Sequence, residues 1–326
     1  MALERGSSIG SYRVLFRLGS GGMGEVWRAR DTRRDLDVAI KVLSPDAVRD
    51  PDRMSRFAME ARAASSLKHR NILTIHEIGE SAAGPYLVTE YVEGSTVRNL
   101  LNDGALPPAR AVDVALQAAE GVATAHAVGI VHRDLKPENL MINKEGVVKI
   151  LDFGLAKLIR PGEVSEENAL NVARTATGMI IGTAGYLSPE QLMGGKASER
   201  SDVFALGVVL YEMLAGDNPF RRNNAVDTFS AILRDDPPPL DPRIGPVPPE
   251  LTAVIAKALA KKPENRYPSA RELAADLRAV HERLTPPVVE PPPESAPRGR
   301  AGARAVVIGV VLLVLAAGSF LVLRGC

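Results

Sequence analysis

One stretch constrains this chain more than any other. It is His132-Arg133-Asp134-Leu135-Lys136-Pro137-Glu138-Asn139, with Asp152-Phe153-Gly154 starting thirteen residues after the asparagine. Between them lies an apolar segment, Leu140 to Leu151, patterned as a hairpin. A fold that accommodates both strings brings two short loops together at the ends of that hairpin. The loops carry a carboxylate, an ammonium, an amide and a second carboxylate. This set suits phosphoryl transfer: one group orients a hydroxyl, one cation offsets phosphate charge, and two oxygen ligands take magnesium.

Composition narrows the alternatives. The 326 residues suffice for one large domain or two ordinary ones, and 40 Lys+Arg nearly balance 39 Asp+Glu. A near-neutral chain has no global field to attract nucleic acid, and with 4% aromatics it has no stacking platform for single strands. A nucleic-acid partner is therefore not expected. The single cysteine, Cys326, permits neither an intramolecular disulfide nor a cysteine-rich metal site, and the five histidines show no ligand spacing. Residues 1–11 form a polar N-terminal tail without a signal core.

The patterning gives an α+β chain. Tyr12 to Leu18, Val26 to Arg30, Val38 to Leu43 and Tyr86 to Tyr91 alternate like strands, with a helix expected over Asp52 to Leu67. From about Ala109 the periodicity is mostly helical, and Val203 to Leu210 reads as a buried helix ending near Gly216. A small strand-rich lobe (about 12–92) thus precedes a larger helical lobe (about 93–284). Residues 285–304 are Pro-rich and then basic, as in an extended juxtamembrane linker. The uncharged run 305–323 spans roughly 28 Å as a helix, enough to cross a bilayer; a buried core helix is the other reading. Arg298, Arg300 and Arg304 on its N-terminal side keep the globular region cytoplasmic by the positive-inside rule, leaving residues 324–326 as a short outer tail. A tail anchor and a chain cut before an outer domain both fit. Ala305 and Gly309 make a small-xxx-small pair that also arises readily by chance.

Gly19-Ser20-Gly21-Gly22-Met23-Gly24, between Leu18 and Val26, would let backbone amides approach phosphate oxygens. Taken alone it also suits a plain hairpin turn. A dinucleotide site needs a helix after the third glycine, whereas the residues after Gly24 alternate like a strand. Val38-Ala39-Ile40-Lys41 puts a lysine on an apolar strand; a surface lysine at a strand edge fits those four residues equally. Glu60, on the line Phe57, Glu60, Ala64, is the carboxylate expected to pair with Lys41, although an ordinary solvated glutamate is the commoner reading of that residue alone.

These motifs, together with Gly182 to Glu190, Asp202 and Arg266, occur in the order of protein kinases. The chain over about 11–284 resembles the eukaryotic-like serine/threonine protein kinases of bacteria. The resemblance implies a bilobal kinase fold and transfer of the γ-phosphate of ATP to protein Ser/Thr hydroxyls. It implies ATP with Mg2+ as cofactor, Mn2+ being an alternative. Leu18, the glycine-rich loop, Val26, Ala39, Glu90 and Val92 would surround the nucleotide, with Thr89 at the back. Lys41, paired with Glu60, would contact the α- and β-phosphates. Asp134 would orient the acceptor hydroxyl, Lys136 would stabilise the γ-phosphate, and Asn139 and Asp152 would hold metal. Thr183 would brace Asp134 and Lys136, Asp202 would tie the catalytic-loop backbone, and Glu190 would pair with Arg266.

Ser188, Trp27 and Arg70 depart from the usual kinase residues at their positions, yet none removes a group the chemistry needs. A non-catalytic, nucleotide-binding scaffold would require loss of Lys41, Asp134, Asn139 or Asp152. The polar segment between Gly154 and Ser188 contains Thr175 and Thr177, expected sites of autophosphorylation in trans within a homodimer; as plain loop residues they would need no role. Arg133 would receive the phosphate bidentately. Expected partners are protein substrates, a second copy of the chain, and the membrane through 305–323.

Overall fold

Period-two alternation shapes the first lobe. Along residues 24–31, Trp27, Ala29 and Asp31 turn into the interior while Val26, Arg28 and Arg30 face the other way. The computed structural model describes residues 3–21, 24–43, 61–152, 184–241, 245 and 247–285. Within them, strands β1 (Ser8–Ile9), β2 (Tyr12–Gly21), β3 (Gly24–Asp31), β4 (Leu36–Leu43), β5 (Ile75–Ser81) and β6 (Gly84–Glu90) make one antiparallel sheet. Its order is β1-β2-β3-β4-β6-β5. Ile40 faces Val88 across the β4–β6 ladder, and both belong to a small core with Tyr12, Ala29 and Val38.

Two strands extend beyond the sequence-based expectation. β1 pairs with β2 inside the segment read as a tail, through Ser8↔Arg13 and Ile9↔Tyr12. β5 was not expected, because a register shift between Ile75 and Glu77 breaks its alternation and no residue of this edge strand is fully buried. Of the helix expected over Asp52 to Leu67, residues 61–65 are helical; positions 52–60 lie outside the described residues.

The second lobe contains β7 (Gly94–Thr96), α1 (Val97–Leu101), α2 (Pro108–His126), β8 (Leu140–Asn143), β9 (Val148–Ile150), α3 (Pro189–Leu192), α4 (Glu199–Ala215), α5 (Ala225–Arg234), α6 (Pro249–Ala258) and α7 (Ala270–Leu284). Every residue of α4 from Ser201 to Leu214 is buried, so this helix is the axis around which the lobe is packed. It stops at Gly216, whose φ of 80° supplies a left-handed cap that most side chains resist. β7, β8 and β9 form a second, three-stranded sheet, and the β8–β9 hairpin occupies the apolar segment between the two opening strings. That hairpin lies close against α2: a Cβ at Gly121 would sit 2.6 Å from Ile150 Cδ1. The molecule is thus a strand-rich lobe followed by a helical one, as the sequence implied.

The chain divides into two units, Met1–Thr285 and Pro286–Cys326. The linker and apolar run expected over 285–323 fall, Thr285 apart, outside the described residues. Among the described residues, no helix is long and apolar enough to cross a membrane.

Candidate active site

The loop before β8 is built on one buried carboxylate. Asp202, in the first turn of α4, is 1% exposed. It accepts the backbone N–H of His132 at 2.7 Å and of Arg133 at 2.8 Å, and His126 Nε2 lies 3.0 Å away. These bonds hold Arg133 at a φ of 68°, a left-handed conformation that a long side chain adopts only when its surroundings impose it.

Asp134 comes next, and its carboxylate meets two side chains of the same loop. Its Oδ2 receives Lys136 Nζ at 2.9 Å and Asn139 Nδ2 at 3.1 Å. The same Asn139 nitrogen also donates to the Asp134 carbonyl at 2.8 Å. Leu151 donates its N–H to Asn139 O at 2.8 Å, and His132 Nε2 lies 2.9 Å from Leu151 O. The second loop is therefore tied to the first immediately before Asp152.

Asp152, itself at a φ of 46°, meets Lys41 of β4, with Nζ 2.6 Å from Oδ2. Burial pushes the Asp152 carboxyl up, but contact with Lys41 and the nearby charge of Lys136 outweigh it. The group is held below the usual carboxylate range and stays ionised.

Above these groups lies a cleft of about 350 Å3. Leu18, Val26 and Ala39 line it from the first lobe, Met141 and Leu151 from the second, and residues 89–92 form its back wall. Register delivers these residues: Ala39 lies opposite Thr89 and Lys41 opposite Leu87. The three described glycines of the motif differ. A Cβ on Gly19 or Gly21 would meet nothing within 4 Å, whereas on Gly24, at a φ of 139°, it would lie 1.9 Å from the Val42 carbonyl oxygen. The first two leave space for a ligand, and the third lets β3 run against β4.

An apolar slot, an open glycine turn and a lysine beyond it fit a nucleoside triphosphate. A hard cation also fits. Asp152 is ionised, and the amide nitrogen of Asn139 is committed to Asp134, which leaves the Asn139 oxygen for a metal. No group of three or more His, Cys, Asp or Glu suited to a metal occurs among the described residues. A two-ligand site matches magnesium, which keeps several waters and takes the rest from phosphate.

Deeper in the helical lobe, Glu190 of α3 forms a bidentate pair with Arg266 at 2.9 and 3.0 Å, and Ser201 donates to it at 2.7 Å. Burial pushes Glu190 up, but these hydrogen bonds hold its carboxyl below the usual range. A second network was not legible in the sequence. Arg98 of α1 donates to Glu138 at 2.7 Å and to Glu212 of α4 at 2.9 Å, and it contacts the hydroxyl of Tyr186, which in turn donates to Glu212. One guanidinium thereby links the catalytic loop, the segment before α3 and the lobe axis. Glu90 also has a use that sequence reasoning missed: its carboxylate accepts from Thr74 N at 2.7 Å and from Lys149 Nζ at 2.8 Å. Only a charge within residues 90–92, the hinge where the first lobe passes into the second, hinted at this.

The structure brings Asp134, Lys136 and Asn139 together on one loop and Lys41 and Asp152 together on the cleft wall, the two groups joined through the Leu151–Asn139 backbone bond. It places Leu18, Val26, Ala39, Glu90 and Val92 on the cleft wall, and Gly19, Ser20 and Gly21 at the end of β2. Gly22, Met23, Glu60, Thr175, Thr177 and Thr183 lie outside the described residues.

Comparison with known proteins agrees with this geometry. Residues 12–276 match the protein kinase domain. The serine/threonine-protein kinase PknB of Mycolicibacterium smegmatis is 44% identical over 274 residues, covering 82% of this chain and 43% of the relative. The serine/threonine-protein kinase PknL of Mycobacterium tuberculosis is 39% identical over 298 residues, covering 91% of this chain and 71% of the relative. This chain thus spans less than half the length of the first of these relatives. Among solved structures, the PknI kinase domain of M. tuberculosis superposes with a TM-score of 0.63 at 26% identity, covering 85% of this chain and 99% of the other. In sequence, fold and site geometry alike, this chain belongs to the protein kinase family.

Proposed function

We propose that the chain is an ATP-dependent serine/threonine protein kinase. One observation carries the reading: Lys136 Nζ and Asn139 Nδ2 converge on Asp134 Oδ2, and Asn139 O accepts the N–H of Leu151, the residue before the Asp152 that pairs with Lys41 on the cleft wall. Asp134 orients the acceptor hydroxyl and takes its proton as the oxygen–phosphorus bond forms and the bond to the ADP oxygen breaks. Lys136 offsets charge on the γ-phosphoryl oxygens, and Lys41 holds the phosphates behind it. When bound at Asn139 and Asp152, magnesium supplies positive charge to the phosphate oxygens. Residues 90–92 would read the adenine edge with their backbone.

The finer parts of the reading belong to the same proposal. Phosphorylation in trans at Thr175 and Thr177 would activate the enzyme, with Arg133 receiving the phosphate. Residues 305–323 would anchor the cytoplasmic kinase to the membrane. Similarity to serine/threonine-protein kinases supports acceptance by serine or threonine.

Transfer of labelled phosphate from Mg-ATP to the chain itself and to a basic protein tests the core of the reading. Asp134→Asn should reduce labelling by roughly three orders of magnitude, as loss of a general base together with misplaced substrate implies. Equal labelling of wild type and variant would leave a nucleotide-binding scaffold. Phosphopeptide mapping between residues 155 and 182 tests the activating sites; an active enzyme without label there removes them.

A further inference from the structure

The hinge of the cleft is gripped from two sides. Glu90 turns its side chain to Thr74 and to Lys149 of β9. Tyr91 turns the other way, toward the strand-rich lobe. There the guanidinium of Arg28 lies 4.4 Å from the centre of the Tyr91 ring and 5.5 Å from that of Phe16. Arg28 is itself fixed. Its Nε donates to Asp37 Oδ2 at 2.9 Å, a second guanidinium nitrogen reaches the same oxygen, and Asp37 also accepts from Arg30 at 2.9 Å. Hydrogen bonding from Arg28, and then from Arg30, outweighs burial and keeps the Asp37 carboxyl below the usual range.

The placement follows from strand period. Val26 lines the cleft, and Arg28, two residues along β3, shares its face. Opposite Arg28 stand Phe16 on β2 and Ala39 on β4. Arg28 thus stands beside the cleft wall, over the one hinge side chain that faces its lobe. An Arg guanidinium on an aromatic face is weakly hydrated, planar and directional, and here its charge is balanced by a carboxylate from the neighbouring strand.

We propose that Arg28 is a positioning residue for nucleotide binding, acting through the ring of Tyr91 on the backbone of residues 90–92. Asp37 and Arg28 fix Tyr91 from the first lobe while Lys149 fixes Glu90 from the second. The backbone between them is thereby held at the separation adenine needs. This rests on the reading of residues 90–92 as the adenine-contacting strand.

The test uses the full chain with Mg-ATP and a protein substrate. Arg28→Met keeps the stem and removes the cation. It should raise KM for ATP about threefold to tenfold, the range a cation–π contact supplies, with kcat and the KM for protein substrate unchanged. Arg28→Lys, which keeps the charge but not the planar fork, should recover only part of the loss. Arg30→Met removes a neighbouring cation that also pairs with Asp37 but stacks on no ring among the described residues, and it should leave KM for ATP at the wild-type value. In a double-mutant cycle, Arg28→Met should add nothing once Tyr91→Ala is present.

The inference is overturned if Arg28→Met leaves KM for ATP unchanged, if Arg30→Met matches it, or if the Arg28 and Tyr91 effects multiply. Val92→Pro, which deletes a hinge N–H, separates this failure from failure of the underlying reading. Unchanged ATP affinity in folded Val92→Pro removes the adenine reading and the inference with it. Lost affinity there, combined with an unaffected Arg28→Met, removes the inference alone. Thermal melting without nucleotide identifies which variants are folded.

Discussion

In the helical lobe the reacting groups hang from buried charge. Asp202 holds two backbone amides of the catalytic loop, and Arg266, its side chain fully buried, holds Glu190 beside it. In the strand-rich lobe the site is held by register and surface. Lys41 is placed by β4 opposite Leu87, the glycine turn by the close run of β3 along β4, and Tyr91 by a partly exposed guanidinium. Core sizes match: the first lobe packs a handful of buried residues, whereas the second surrounds a helix buried along almost its whole length. On the proposed function, the half that aims the hydroxyl is held by buried polar anchors, and the half that takes the nucleotide rests on weaker and more local contacts. Buried networks are costly to break, and surface pairs contribute little each.

The contrast can be broken most severely at Asp202. Asp202→Ala leaves the amides of His132 and Arg133 and the ring of His126 without their acceptor, at about 1–3 kcal/mol for each orphaned donor. Release of the left-handed backbone at Arg133 moves Asp134. Displacement of that kind costs about a hundredfold in kcat. KM for ATP should change little, because the anchor lies in the other lobe. Steady-state kinetics with a urea titration checks both statements. A fall confined to KM for ATP would show that the loop does not depend on this anchor.

A smaller effect is expected in the strand-rich lobe, and it splits the glycine motif. Gly24→Ala drives a Cβ into the Val42 carbonyl at a φ of 139°, so β3 must part from β4 or the turn must distort. About 1–3 kcal/mol of stability should be lost, together with ATP affinity. Gly21→Ala meets open space. It should leave the melting temperature of the nucleotide-free chain unchanged while weakening ATP binding. Equal melting losses for the two would mean that the motif's glycines serve the sheet alone.

Much of this was legible beforehand. The strand alternation, the buried α4 with its glycine stop, the catalytic loop and the Glu190–Arg266 pair all follow from local pattern or from motifs in kinase order. What escaped has a common physical form. Arg98, Glu138, Tyr186 and Glu212 meet from four segments that share no period, so no window of sequence contains the network. Glu90 and Tyr91 have their neighbours assigned only when the lobes are in place. β5 escaped because an edge strand with a register shift buries too little to enforce alternation. The sequence names groups that chemistry requires; it does not name the groups that hold them when those are distant and individually ordinary.

The smallest expected effect sharpens the comparison inside the helical lobe itself. Lys261, half-buried, and Arg266, buried, are neighbouring cations, but Arg266 meets a carboxylate whereas Lys261 donates to the carbonyl of Ile232 at 2.8 Å and lies 4.0 Å from the centre of the Phe220 ring. Burial therefore wins at Lys261 and pushes its ammonium down to about 8, against the opposing pull of Asp236 and Asp235. In the unfolded chain a lysine keeps its proton until about pH 10.4. Between these values the unfolded state binds more protons than the folded one, so stability contributed by this site rises with pH. Below about pH 8 the site is protonated in both states, and the burial penalty is felt in full. Lys261→Met removes the titration. The difference in urea midpoint between wild type and variant should drift in favour of wild type from pH 7.5 to 9.5, by less than the change at Gly24. Parallel curves would mean that the Ile232 carbonyl and the ring satisfy this charge as fully as Glu190 satisfies Arg266. In that case a carboxylate is not what distinguishes the anchors of the helical lobe.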